Sequence, residues 1–453
     1  MKKVFGIAAL LLALAACNKV ETEITPVEQP SDSKGITITA TLAPKTADTK
    51  AVADKGDNKI TVTWAKNEHI AILYDKDGAQ VADATITAVD GTTGAATISF
   101  TVVSGTADNT ACTLVYPYSA AKDDKSGVKD AATLLSAQDG TLNANLDVRV
   151  GAGKIKTTTP GLDVTTQPEA QFAIFKFTLS GVSIDATHPL VIKDNASNKT
   201  ITTVTPASSA SSIYVAMPAA ASKAYKFVVT TADNKYIKSG TATIEAGNYY
   251  QTTLTMSPRY PLALSSATAD DLGAVACNDG QLYMEKKAAP AGKTAVGILG
   301  KVTETGHGLI LALQDAPSQN WDTINGWASV DTYAGTTLKQ LPNEALGSLT
   351  IYVVLWPTIS NPIYLSSWCV AQKSDYADIF INLGSAKNDG GYTYDANVNA
   401  YITTGVGGTA MADFYWTATA TDSYSMYAFC FYSLYWHYRS KENSFRVRPV
   451  LGF

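Results

Sequence analysis

From residue 36 onward, apolar side chains recur at every second position. Ile36, Ile38, Ala40 and Leu42 alternate with Thr37, Thr39 and Thr41, and Ile60, Val62 and Trp64 alternate with Thr61 and Thr63. Successive side chains on a β-strand point to opposite faces, so each run buries one apolar face and leaves a threonine face to water. This is the pattern of antiparallel sandwiches, and it commits the chain as far as Met256 to a mainly β fold. Further strands are expected at Ile70 to Tyr74, Ala96 to Val103, Thr113 to Tyr116, Ala173 to Leu179, Ser212 to Met217, Tyr225 to Thr230 and Tyr249 to Met256. Turn pairs such as Asp77-Gly78, Asp90-Gly91 and Asp139-Gly140 separate them. The Thr- and Gly-rich stretch from Gly151 to Pro168 is expected to divide the region into two subdomains, 35–150 and 151–257.

Ahead of the strands, Lys2 and Lys3 form a basic head, Val4 to Ala16 an apolar-and-small run, and Leu14-Ala15-Ala16-Cys17 closes it. The expectation is a signal peptide over 1–16 with a lipobox, leaving Cys17 as a diacylated membrane anchor. Thirteen residues of helix reach only about 20 Å, short of the roughly 30 Å hydrocarbon core, so a spanning helix is not expected there. Residues 17–34 carry Glu21, Glu23, Glu28, Asp32 and two prolines, and read as a flexible tether.

A chain of 453 residues, 46% hydrophobic, has material for two or more packed domains. A net charge of −5 offers no basic footprint, so nucleic acid is not an expected partner. Apart from Cys17, the cysteines Cys112, Cys277, Cys369 and Cys430 are isolated and lack ligand spacing, which gives no metal or redox motif and leaves one or two disulfides open. His69, His188, His307 and His437 are scattered, and G-x-S-x-G, H-E-x-x-H and P-loop motifs are absent. No catalytic residue, cofactor or metal is therefore expected. Asp75, Asp77 and Gly78 lack the later ligands of a calcium loop and read as a plain turn.

After Ser257 the chain changes character. Six of the seven tryptophans lie beyond residue 320, and three of the five arginines fall within the last fifteen positions. Ser374 to Gly384 has an N-cap serine, acids in the first turn, apolar spacing at Tyr376, Ile379, Phe380 and Leu383, and a terminating glycine, so a helix is expected there. With short aromatic strands and glycine-rich loops around it, 258–453 reads as an α+β module.

Two resemblances follow from motifs. Trp64-Ala-Lys-Asn-Glu-His-Ile70, Val115-Tyr116-Pro117-Tyr118-Ser119 and Ala246-Gly247-Asn248-Tyr249-Tyr250 resemble the fimbrillin-like lipoproteins over residues 35 to 257. That resemblance implies two transthyretin-like sandwiches and polymerisation with other pilin-type subunits by strand addition. The family is often cut after an arginine in its first strands, whereas this chain has lysines such as Lys45 and Lys50. His307-Gly308-Leu309, Trp368, Tyr415-Trp416-Thr-Ala-Thr, Ala428-Phe429 and Val447-Arg448-Pro449-Val450 resemble the C-type-lectin-fold modules of bacterial surface proteins, several of them targets of diversity-generating retroelements. Trp368-Cys-Val-Ala-Gln-Lys-Ser stands where those relatives show Trp-x-Leu-Pro-Ser. Formylglycine-generating enzymes share that outline but work through paired cysteines, and Cys430 has no such neighbour.

The segment from Asp422 to Arg446 is dense in Tyr, Trp and Phe interleaved with Ser, Asn and Arg, the composition of a binding surface. Period two places Phe429, Phe431, Leu434 and Trp436 inward and Cys430, Tyr432, Tyr435, His437 and Arg439 outward, with a one-residue shift between Phe431 and Leu434. The expected ligand-binding set is Tyr424, Tyr427, Cys430, Tyr432, Tyr435, His437, Tyr438, Arg439, Asn443 and Phe445. Trp416, Trp436 and Arg448 are expected to be structural. Randomising the adenines of an AAC or AAT codon reaches Tyr, Ser, Asn, His, Cys, Phe, Asp or Arg but not Trp or Lys, which fits the outward set and leaves Trp436 and Lys441 fixed. The expectation is a surface or pilus-tip adhesin with a protein or glycan ligand on cells or phage; the alternatives are a structural minor subunit or anchor and, less favoured, a formylglycine-generating-type enzyme.

Overall fold

In a computed structural model, which describes residues 35–45, 63–322, 330–333, 336–340, 368–385, 387–388, 391–392, 396–431, 433 and 435–453, the alternating segments pair into a mainly β architecture. Ile36–Leu42 buries Ile38 and Leu42 and pairs antiparallel with Ala96–Val102. These two strands open a seven-stranded sheet that continues through Ala79–Val89, His69–Asp75, Thr110–Tyr116, Arg149–Lys156 and Gly161–Ala170. Its two outer strands lie beside each other, and Ala43 N–H donates to Gln167 Oε1 at 3.1 Å. The sheet thus curls around a core of Ile38, Ile70, Ile72, Ile98, Leu114 and Tyr116. Asp75 to Gly78 is the turn between two of its strands, with Gly78 N–H donating to Asp75 Oδ1.

The Gly151 to Pro168 stretch, expected as a divider, is a hairpin of this sheet, so the sheet passes the expected division at 150/151 and ends at Ala170. Its first strand puts glycine where an apolar residue would alternate for a steric reason: a Cβ at Gly151 would meet Thr166 O at 2.7 Å. The expected strand through Ile60 and Val62 lies outside the described residues. Trp64 is buried, edge-on to Tyr116, and its Nε1–H donates to Ala43 O at 2.8 Å. Lys45, raised above as a processing position, is also buried. Its Nζ sits 3.8 Å from the Tyr116 ring centre and 3.0 Å from Asp147, and burial pulls its pKa down against the attraction of Asp147 and Glu68. The stretch that follows Lys45, including Lys50, lies outside the described residues.

A second sandwich follows. A three-stranded sheet of Ser212–Pro218, Phe172–Ser180 and Tyr249–Thr255 faces a five-stranded sheet of Lys235–Ile244, Ala220–Thr230, Leu190–Asp194, Thr200–Val204 and Ala137–Gln138. Phe175, Phe177, Val215, Tyr250 and Leu254 from one sheet meet Leu190, Ile192, Tyr225, Phe227 and Val229 from the other. Tyr249–Thr255 runs parallel to Phe172–Ser180, with seven pairs in register from Tyr249↔Ile174 to Thr255↔Ser180. One side is closed by chain from the first unit: the Gln138 side chain donates to Thr202 Oγ1 and Ala216 O, both at 3.0 Å, and accepts Ala216 N–H at 2.8 Å. Ala71, Leu73 and Val115 of the first sheet share a buried cluster with Phe172, Ile174, Ala216 and Tyr249 of the second unit, so the sandwiches are joined by an apolar seam.

The third unit is α+β. A nine-stranded sheet runs Leu262–Ala263, Gln281–Tyr283, Val275–Cys277, Ala295–Glu304, His307–Ala312, Val450–Gly452, Trp368–Val370, Thr336–Gln340 and Val330–Tyr333. A five-stranded sheet of Ala316–Asn320, Ser444–Val447, Phe414–Ala420, Ser425–Cys430 and Tyr435–Ser440 accompanies it. The helix Lys373–Asn382 buries Tyr376, Ile379 and Phe380, and Leu383 after it is buried too. It lies so close to the sheet that a Cβ at Gly300 would meet Ile379 Cγ2 at 2.7 Å. Ser374 is not its cap, as expected, but lies in the first turn, and Gln372 holds the N-cap position. The Lys373 N–H is satisfied instead by Thr419 Oγ1 at 2.9 Å, a tertiary contact that local sequence does not reveal. Cys112, Cys277, Cys369 and Cys430 are all buried and free of disulfides.

This unit is docked on the second sandwich by polar contacts. Lys226 pairs with Asp270 at 2.6 Å, Lys235 Nζ donates to Asp270 O at 3.0 Å, and Asn234 exchanges hydrogen bonds with the main chain of Tyr260 at 2.7 and 3.0 Å. Arg259, at the start of the third unit, donates its main-chain N–H to Lys235 O at 2.7 Å and pairs within its own unit with the fully buried Asp271 at 2.6 Å.

Candidate ligand-binding surface

The aromatic segment folds as the hairpin Ser425–Cys430 and Tyr435–Ser440, the second strand forming the edge of the five-stranded sheet. Its register pairs Tyr427 with Tyr438 and Phe429 with Trp436, and, alternating with these, Met426 with Arg439, Ala428 with His437 and Cys430 with Tyr435. Cross-strand partners share a face. Tyr427, Phe429, Trp436 and Tyr438 therefore lie on one face, joined by Tyr415 through its pairing with Phe429. Phe414, Trp416, Cys430, Tyr435, His437 and Arg439 lie on the other.

Both faces meet a core. On the first, Phe380 of the helix lies 5.0 Å from Phe429 and 6.5 Å from Trp436, ring centre to ring centre. On the second, Trp416 packs with Trp321 at 5.9 Å and Phe445 at 4.7 Å, and Phe445 stacks on Phe414 at 4.8 Å. The expected parity is correct along each strand, and the shift falls in the connection after Cys430, but the outward face is not open. Cys430 is only 3% exposed and does not meet a ligand in this fold, because the sheet is buried from both sides at this end. Phe445 is half-buried in the same aromatic cluster. Tyr432 and Leu434 lie outside the described residues.

Three tyrosines of this hairpin reach solvent, Tyr438 on the face of Tyr427 and Trp436, and Tyr435 on the opposite face. Tyr424 is 80% exposed, Tyr438 68% and Tyr435 49%, and Asn443 is exposed as well. Tyr427, His437 and Arg439 are partly exposed. Ser433 Oγ lies 2.7 Å from His437 Nε2, while burial first and the Arg439 charge second hold that imidazole below its ordinary pKa. Trp416 and Arg448 are fully buried, and Trp436 is half-buried against the helix.

Sequence reasoning missed three residues here. Asp315 organises the C-terminal arginines: its carboxylate lies 2.8 Å from Arg448 Nε and 3.0 Å from Arg446 Nη1, and accepts the Tyr415 hydroxyl at 3.1 Å. Arg448 also donates to Ala312 O and Thr409 O. Lys373 places its Nζ 3.8 Å from the Tyr427 ring centre, and Phe414 carries the Arg439 guanidinium at 4.9 Å. Lone residues of ordinary type give no local signal for such contacts. Among the described residues, no group of His, Cys, Asp and Glu is arranged to hold a metal ion.

No family model and no curated protein matches the chain. Solved structures that align with it include a fimbrial protein from Bacteroides ovatus, 13% identical, covering 92% of this chain and 99% of its own, with a TM-score of 0.26. A fimbrial assembly protein from Parabacteroides distasonis is 14% identical, covering 48% of this chain and 90% of its own, with a TM-score of 0.29. Likeness at those TM-scores carries no argument about fold or function.

Proposed function

We propose that this chain is a pilus-type adhesin of the cell surface, anchored in the outer membrane through Cys17. Its two sandwiches form a body that joins other pilin-type subunits, and its C-type-lectin-like head captures a protein or glycan on cells or phage. The observation that carries this reading is the exposure of Tyr424, Tyr435 and Tyr438 on one hairpin whose neighbours Tyr415, Trp416, Phe429 and Cys430 are buried. Tyrosine offers large contact area at low entropic cost, and exposed aromatics gathered on a rigid scaffold act as interface anchors. The hairpin is held between two cores, which lets surface residues vary while the scaffold stays fixed; this supports diversification by a retroelement.

The test is to purify the chain with Tyr424→Ala, Tyr435→Ala and Tyr438→Ala together and measure capture of cells from the native habitat. Capture is expected to be lost while the melting temperature moves little. Undiminished capture would overturn the adhesion reading. Across sibling isolates, substitutions are expected to concentrate at the exposed tyrosines; an even spread over 258–453 would remove diversification from the proposal.

A further inference from the structure

Just beyond the first strand, a lysine is enclosed with two acids. The Lys45 side chain is 1% exposed, and its Nζ lies 3.0 Å from Asp147 Oδ2 and 3.8 Å from Glu68 Oε2. The Trp64 and Tyr116 rings cover that nitrogen, their centres 4.4 and 3.8 Å away. Asp147 is buried as well, and its carboxylate accepts the Nε–H of the buried Arg149 at 2.8 Å on Oδ1 and 3.0 Å on Oδ2.

An amine and a carboxyl group shut in together have a reaction open to them. Burial is the largest influence on Lys45 and pulls its pKa down although Asp147 and Glu68 raise it, which brings the free, nucleophilic amine within reach. Two charges taken out of water are costly even when paired, and an amide carries neither. Nitrogen and carboxylate already touch, and a fixed contact of that kind turns an encounter between two groups into a single unimolecular step.

We propose that Lys45 and Asp147 become joined by an intramolecular amide, formed after folding by condensation of the two side chains, with Glu68 as proton carrier. The bond from Lys45 Nζ to Asp147 Cγ forms, and the bond from Cγ to Oδ2 breaks. One of the three ammonium protons stays on the amide nitrogen, and the other two leave with the departing oxygen as water. No oxidant or activating group is consumed. Glu68 takes a proton from Nζ and hands it to Oδ2. It is fixed for this task, since the Tyr116 hydroxyl donates to its Oε1 at 2.7 Å and Ala65 N–H to its Oε2 at 2.9 Å. As the amine adds, negative charge gathers on Oδ1, where Arg149 Nε–H already points. The amide ties the end of Ile36–Leu42, an outer strand of the seven-stranded sheet, to the residue that leads into Arg149–Lys156. On the reading that Cys17 is the anchor, load entering through residues 17–34 then falls on a covalent bond as well as on the hydrogen bonds of one outer strand.

The test is peptide mapping of the full chain, denatured and digested with trypsin. A branched peptide is expected, in which the segments holding Lys45 and Asp147 travel together at one water less than their summed mass, uncut at Lys45. Fragmentation should place the bond between those two side chains. Lys45→Arg and Asp147→Ala should each release the segments as separate peptides. In newly synthesised protein, Glu68→Gln should slow the cross-link by about a hundredfold, the low end for a general acid–base group. A parent chain that trypsin cuts at Lys45, with that amine open to acetylation after denaturation, would overturn the proposal. So would a loss of water that maps to an Asp-Gly pair, the mark of a cyclic imide. Undelayed cross-linking in Glu68→Gln would remove its role as carrier. The parent chain alone decides whether the amide exists, so a variant that fails to fold does not blunt the test.

Discussion

At the scale of single residues, Arg448 shows how a charge can be confined inside the head. Its side chain is fully buried, and its acid, Asp315, comes from a distant part of the chain. Asp315→Asn would leave that guanidinium without its counter-charge, and breaking a buried pair from one side costs about 3–5 kcal/mol. Chemical denaturation should register that loss, whereas Asn443→Ala on the exposed surface should change stability by no more than about 0.5 kcal/mol. His437 gives a pH dependence of definite sign. Its folded pKa lies below the ordinary 6.5, so the unfolded chain binds the proton more readily. The contribution to stability is complete above the unfolded pKa and is lost as pH falls toward the folded one. Arg439→Gln should raise the imidazole midpoint seen by NMR yet leave it under 6.5, because burial, the larger cause, remains. A midpoint that does not move would show that the guanidinium charge is not felt there.

At the scale of elements, the strands of residues 36 to 256 were largely legible, since a one-faced core imposes period two on residues such as Ile36 to Leu42. The hairpin Arg149–Lys156 and Gly161–Ala170 was not, because at Gly151 and Gly153 its strands meet backbone against backbone and glycine leaves no hydropathy signal. The helix was legible from Tyr376, Ile379, Phe380 and Leu383, but its start was not, since Thr419 caps it from another strand. In the aromatic hairpin, parity alone could not tell a solvent face from a second core, and Cys430 was misplaced for that reason. Gly300→Val would push a side chain into Ile379, and such overpacking costs about 1–3 kcal/mol. Faster amide exchange in Lys373–Asn382 would be its signature. The four buried thiols also belong here: burial pushes Cys112 and Cys277 up to about 12. With Cys17→Ser in place, Ellman's reagent at pH 8 should leave all four unmodified until the protein is denatured, and rapid labelling of the native protein would contradict the packing described.

At the scale of the whole molecule, the head is held to the body rather than strung from it. Arg259→Ala would leave Asp271 charged and fully buried, at a cost of about 3–5 kcal/mol. The expected outcome is protease cutting near residues 256 to 262 that the parent protein resists. Equal resistance in the two proteins would mean that the remaining contacts of Asn234 and Lys226 hold the joint by themselves.

The parallel pairing of Phe172–Ser180 with Tyr249–Thr255 has a mechanical meaning. Chain arriving from the first sandwich enters at Phe172, and chain leaving for the head departs after Thr255, at opposite ends of two strands that run side by side. Tension between body and head therefore slides these strands along each other. All seven register pairs resist at once, whereas a hairpin pulled from one end would open one rung at a time. The second sandwich is wired as a shear clasp in the line of force.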